Sequence, residues 1–422
     1  MTDRPVPPPP HPVPSPVNRR LLLTGGAAAL GGALAGGAAV TAAVSGDRTP
    51  AAAPTGAAAP VAVDFGTETV PFHGPRQAGV DTPPQAYAAF VAFTLGPATD
   101  RAALVRLLRL LSDDAARLTQ GVPPLADTEP ELAVLPARLT VTFGFGPQLY
   151  AAAAVADRRP PSVTDLPPFA IDRLEPGWSG GDLLLQICAD DPITVAHAQR
   201  MLIKDARPFA SVRWVQQGFR RGRGVEHEAH TQRNIMGQID GTGNPTPGTA
   251  DFDTAVWVGD GPAWHRDGST LVVRRIRTEM ETWDKLGRMD KELVIGRRLD
   301  TGAPLTGEKE TDIPDFAAVD EVGLPIMPDF AHVTRAHVAD DRYKILRRPY
   351  NYDGVPGADG TPDSGLIFAA YQADVDAQFL PIQRRLAEHD LLNEWVTPIG
   401  SAVFAIPPGC APDGWIGDSL LT

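Results

Sequence analysis

The chain has 422 residues, 43% apolar and 21% charged, which is long enough for two domains of ordinary size. Its formal net charge of -13 excludes nucleic acid and anionic membrane surfaces as partners, since both require a basic face. Two cysteines, Cys188 and Cys410, exclude a disulfide framework and a cysteine-based metal site.

Residues 1–60 read as a targeting segment and linker that stand outside the fold. A Pro-rich tail from Met1 to Val17 leads to the pair Arg19-Arg20 and an uncharged Ala/Gly/Leu stretch from Leu21 to Gly46. This pattern resembles a twin-arginine export signal, a route that carries folded, cofactor-loaded proteins. It implies an extracellular, cell-envelope or periplasmic location, with cleavage between about 42 and 60. The length of the stretch also permits an uncleaved anchor; its glycine and alanine content weighs against one, so no integral membrane span is expected in the mature protein. Export would place the chain in an oxidising compartment, which leaves a Cys188–Cys410 disulfide open beside the simpler reading of Cys188 as a buried thiol in "DLLLQICA".

The first element after the linker is the apolar run "AYAAFVAFTL", Ala86 to Leu95, with strand character. Leu104, Leu107, Leu108, Leu111, Ala115 and Leu118 then recur at helical spacing, with Thr99 or Asp100 placed to cap the start. "RLTVTFGFGPQLY", Arg138 to Tyr150, predicts a strand running into a Gly/Pro turn. "GDLLLQICADDPITVAHAQRML", from Gly181, predicts a strand, an acidic helix start and an amphipathic helix. Polar residues from Gly224 to Gln232 suit a connecting loop. Its "HEAH", His227 to His230, has two histidines but no further nearby ligand, so loop histidines in solvent explain it better than a metal site. Strands are expected again in "STLVVRRIRTEM", Ser269 to Met280, and "YKILRRPYNY", Tyr343 to Tyr352.

An internal repeat organises the chain. "GLIFAAYQADVDAQFLPIQRRL", from Gly365, matches the Gly181 segment at a constant offset: Gly181 falls on Gly365, Ala189 on Ala373, Asp190 on Asp374, Gln199 on Gln383, Arg200 on Arg384 and Leu202 on Leu386. The expected fold is therefore α+β, with two ferredoxin-like domains, residues 61–223 and 224–422.

"GQIDGTGNP", "AHVTRAH" and "ILRRPYNYD" lie in the second half. Together with "GPRQAGVDTPPQ", "FGFGPQLY", "WSGGDLLLQICADDP", "DGSTLVVRRIRTEMETWDKL" and "ELVIGRRLDTGAPL" they stand in the order seen in the dye-decolourising peroxidases, and the chain resembles the exported A-type members of that family. The resemblance covers nearly all of the chain after the linker and includes the G-x-x-D-G hallmark, Gly237 to Gly241. It implies the duplicated fold shared by dye-decolourising peroxidases and chlorite dismutases, one haem b per chain, hydrogen peroxide as oxidant and a small phenolic or dye-like molecule as reductant.

By the same resemblance His332 is the axial ligand of haem iron, with His337 as the competing candidate and more fittingly a neighbour of the haem edge. Asp240 would shuttle a proton between the oxygens of peroxide, and Arg347 would stabilise negative charge as the O–O bond breaks. Gly241, Thr242 and Gly243 would lie along the haem, with glycine allowing close backbone approach. A surface or propionate salt bridge suits Arg348. Pro349 and Thr334 depart from the family pattern, in which glycine and arginine are usual. Tyr350, Tyr352, Tyr371 and Trp395 are candidates for relaying oxidation to the surface, although aromatics in such elements are ordinarily core. An alternative function within the same resemblance is haem handling of the deferrochelatase kind.

Overall fold

The computed structural model describes residues 65–227, 230–357 and 360–422. The export signal, its cleavage region and part of "HEAH" lie outside these residues. Among the described residues, no helix is long and apolar enough to cross a membrane.

In the first half, β1 (Tyr87–Leu95) leads to α1 (Arg101–Thr119), then β2 (Thr140–Phe145), α2 (Pro147–Ala152), β3 (Leu183–Ala189), α3 (Pro192–Ala206) and β4 (Ala210–Phe219). Asp100 caps α1, accepting from the Ala103 N–H at 2.8 Å, whereas Thr99 donates to the Phe209 carbonyl at 2.6 Å. The leucine stripe of α1 is buried as its spacing predicts, and each such side chain contributes about 1.5–3 kcal/mol. The expected turn after β2 is instead the start of α2. Pro147 sits in its first turn, where a fixed φ suits a helix and the missing N–H costs nothing.

In the second half, α4 (Ala250–Val256), β5 (Ser269–Thr278), α5 (Met280–Trp283), α6 (Arg288–Ile295) and α7 (His332–Ala336) precede β6 (Leu346–Arg347), β7 (Tyr350–Asp353), β8 (Ser364–Gln372), α8 (Leu380–His389), β9 (Val396–Ile406) and α9 (Asp418–Leu421). The strand predicted over Tyr343 to Tyr352 is thus two short strands.

The repeat appears as β3–α3 and β8–α8, with one difference. Asp191 caps α3 by accepting from Thr194 N–H, while Asp374 caps the later helix one residue further from the matched Gln and Arg positions. The extra residue is taken up by a π-helical turn, Val375–Phe379, ahead of α8.

Both halves show the ferredoxin-like strand order, β4-β1-β3-β2 and β7-β8-β5-β9, with all pairs antiparallel. They join at two narrow seams, Phe145 with Ala405 and Phe219 with Asn351, so the sheet closes on itself. Alternate residues point inward: Ala88, Phe90 and Ala92 of β1 share one core with Leu271, Ile367 and Phe404, while Ala89, Val91 and Phe93 pack on α1 and α3. Burial on both faces explains why these strands read as unbroken apolar runs.

Cys188 and Cys410 are free and buried in separate cores, so the disulfide alternative is not formed. Tyr350, Tyr352 and Tyr371 are core residues, and Trp395 packs edge-on against Trp283 at 5.5 Å. Arg348 does not belong to the surface. It is buried between the halves and donates to the Thr82 carbonyl and Gln85 Oε1.

Candidate active site

Asp240 is held between two turns. Asn234 Oδ1 accepts from the N–H groups of Met236 (3.0 Å) and Gln238 (3.2 Å), and the Gly237 N–H reaches the Asn234 carbonyl at 2.9 Å. Gly237 has φ +85°, which favours glycine. After Asp240 comes Gly241 at φ +145°, where an added Cβ would come within 3.0 Å of Thr231. The Asp240 N–H is fixed to the Gln232 carbonyl at 2.9 Å, and Asn351 Oδ1 of β7 ties the loop to the sheet by accepting from Ile235 N–H at 3.0 Å.

Arg347, on β6, donates from Nη1 to Asp240 Oδ1 at 2.9 Å. Asn244, the asparagine of "GNP", bridges the same two segments: its Nδ2 donates to the Arg347 carbonyl (2.7 Å) and its Oδ1 accepts from the Arg347 N–H (3.0 Å).

His332 opens α7 and donates from Nδ1 to Asp390 Oδ2 at 2.7 Å. Asp390 follows α8, is nearly fully buried, and its other oxygen accepts from Leu392 N–H at 3.0 Å. Burial pulls the His332 pKa down, but the Asp390 carboxylate outweighs it, and the net shift is upward. The charges of Arg347 and Asp240 also reach His332, with opposite effects. With Nδ1 committed to a carboxylate, Nε2 is the free ring nitrogen. The His332 side chain keeps 31% of its accessible surface.

The structure therefore brings Asp240, Arg347 and His332 together. Thr242 Oγ1 donates to Glu310 Oε1 at 2.8 Å. Gly243 is exposed, and a Cβ there would meet only Arg347 Nη2, at 3.8 Å. His337 sits apart, exposed at the end of α7 with its ring on Phe316 at 4.5 Å; burial and then the Arg385 and Lys344 charges lower its pKa. Sequence reasoning missed Asp390 and Asn244. The only local signal for Asn244 was the Asn-Pro that closes the glycine-rich stretch.

The site also presents buried polar atoms without protein partners among the described residues: Gln238 Nε2 beside the Asp240 loop, and Thr334 Oγ1 and Arg335 Nε beside His332. Unpaired buried donors of this kind suit a ligand that carries acceptors; Arg335 binds the Asp329 carboxylate through Nη2 at 3.2 Å and keeps its Nε for a second one. A part-exposed imidazole with Nε2 uncommitted and these donors fit a haem with its propionates.

Fold and site together define a peroxidase built on a duplicated ferredoxin-like scaffold. The chain belongs to the Dyp-type peroxidase family: the family's N-terminal domain matches residues 77–220 and its C-terminal domain residues 231–411. It is 41% identical over 360 residues to the dye-decolorizing peroxidase of Thermobifida fusca, covering 82% of this chain and 83% of that relative. A crystal structure of a DyP-type peroxidase from Cellulomonas bogoriensis, 51% identical, superposes with a TM-score of 0.82 over 85% of this chain and 99% of the other. The deferrochelatase of Escherichia coli is 35% identical over 429 residues, covering 96% of this chain and 97% of that relative.

Proposed function

We propose that this peroxidase is exported by the twin-arginine pathway, binds one haem b per chain, reduces hydrogen peroxide and oxidises phenolic, dye-like or other one-electron donors. The observation that carries this reading is the 2.9 Å contact of Asp240 with Arg347 within electrostatic reach of a histidine whose Nδ1 is bound to a buried carboxylate. Haem, when bound, supplies the iron and conjugated ring that store the oxidising equivalents taken from peroxide.

His332 Nε2 would hold the iron. Its Nδ1–H bond to Asp390 fixes the ring orientation and makes the imidazole a stronger donor. Gly241, Thr242 and Gly243 would flank the haem on the Asp240 side, Thr334 and Arg335 would offer donors to its propionates, and His337 would meet only its edge. Asp240 takes the proton from one oxygen of hydrogen peroxide and returns it to the other, which leaves as water. The Arg347 guanidinium faces the negative charge that develops as that bond breaks. Export rests on Arg19-Arg20 and the Ala/Gly/Leu stretch that follows.

Kinship with a deferrochelatase favours a second reading, in which the chain captures haem and handles its iron. Mixing the haem-loaded protein with one equivalent of hydrogen peroxide in a stopped-flow spectrometer separates the two. A fast Soret shift, delayed in Asp240→Ala or Arg347→Ala, supports the peroxidase reading. A Soret band that peroxide only bleaches supports haem handling, and no Soret band after haem supply refutes both.

A further inference from the structure

We infer that Asn244 is a positioning residue that locks Arg347 and Asp240 into a single unit, an inference that rests on the peroxidase reading above. Strand β6 pairs with β8, with Arg347 opposite Ala370, yet the neighbouring link to β8 is made by the Arg348 N–H, which donates to the Ala369 carbonyl at 2.8 Å. In an antiparallel strand, the N–H and C=O of one residue point to the same side and alternate along the chain. The Arg347 backbone groups therefore face away from β8, toward the loop that carries Asp240. Among the described residues no strand lies there to meet them; the Asn244 side chain does, accepting from the N–H at 3.0 Å and donating to the carbonyl at 2.7 Å.

A carboxamide suits this task because it offers one acceptor and one donor, the complement of a peptide unit. The two backbone groups also settle which way the amide faces. The asparagine is itself fixed by its own N–H, which donates to the Gly241 carbonyl at 2.9 Å, one residue from Asp240. The backbone that carries the arginine is thereby referenced to the turn that carries the acid. Their 2.9 Å side-chain contact is then preset by the main chain rather than sought by a long, flexible side chain.

The test is a double-mutant cycle on the haem-loaded full chain, read in two ways: the second-order rate constant of the Soret change with hydrogen peroxide, and the dissociation constant for fluoride by Soret titration, an equilibrium readout independent of turnover. Asn244→Ala should slow the peroxide reaction by about 10- to 100-fold, the usual cost of losing a supporting hydrogen bond behind an active group. It should also weaken fluoride binding in the same direction as Arg347→Ala. In the Arg347→Ala background the Asn244 substitution should change either quantity by less than about twofold, because residues acting through one another are not additive. Asn244→Asp keeps the acceptor but sets an oxygen against the Arg347 carbonyl, so the same cycle applies if the alanine variant fails to fold. Equal losses in both backgrounds, or an unmoved fluoride constant, overturn the inference while leaving the peroxidase reading intact. Arg347→Ala with both readouts unchanged instead overturns the role given to Arg347 itself.

Discussion

Replacing Asp390 by Asn probes how the protein holds its haem. Asp390 Oδ2 accepts from His332 Nδ1 at 2.7 Å and is almost fully buried, so the bond is charge-assisted and poorly screened, a kind that contributes about 1.5–3 kcal/mol. Asparagine can keep the second contact, from Leu392 N–H at 3.0 Å, because its carbonyl still accepts there. Its amide then turns an N–H toward His332 Nδ1, donor against donor, and the imidazole loses its anchor. Loss of such a supporting bond lowers affinity by about 10- to 100-fold, or about 1.4–2.7 kcal/mol, in agreement with the hydrogen-bond figure. Titrating apoprotein with haem and following tryptophan quenching measures this directly, and the midpoint potential of the loaded variant should rise as the histidine becomes a weaker donor. An Asp390→Asn protein with parental haem affinity and potential, beside a His332→Ala protein that loses haem, would refute the argument.

Asp240→Ala and Arg347→Ala should each slow the peroxide reaction by about 10²- to 10³-fold while haem occupancy stays at the parental level; a rate within threefold of the parent for both would reject their roles. Gly241→Ala places a Cβ 3.0 Å from Thr231 at φ +145°, so thermal unfolding should show about 1–3 kcal/mol of destabilisation, and an unchanged midpoint would deny the strain. Asp114, on α1, is raised to about 7 by burial and by its hydrogen bond with Asp205 of α3, with Asp113 adding to the rise and Arg117 opposing it. Burial also raises Asp205, against the lowering effects of its hydrogen bond with Asp114 and of the Lys204 charge. Since the folded pKa lies above the unfolded one, this pair's contribution is complete below about pH 4 and is lost as pH rises through about 7. Melting midpoints should therefore fall between pH 4 and 8, and fall less in Asp114→Asn; equal slopes would contradict the pairing.

The scaffold was legible because duplication wrote it twice, and because strands buried on both faces leave continuous apolar runs. What the pattern missed had local causes. Apolar periodicity does not register a six-residue helix opened by Pro147, nor a π turn that absorbs one residue before α8. Motif resemblance pointed to His332, Asp240 and Arg347, but their supports lie far away in sequence: Asp390 is 58 residues from His332, and Asn244 is 103 from Arg347. Only the closed sheet makes such pairs neighbours. Arg348 was misread because adjacent arginines look equivalent in sequence, and only an extended backbone tells their two sides apart.

That last pair has a consequence for how the protein is divided. Arg347 faces the chemistry, while the next residue reaches across to Thr82 and Gln85 of the other half. Excising residues 224–422 as a stand-alone unit would remove those acceptors and expose to water the apolar core that Leu271, Ile367 and Phe404 share with Ala88, Phe90 and Ala92. The first half, which supplies none of the three reacting side chains, is thus an obligatory counterweight, and neither copy of the duplication can be lost without unseating the other.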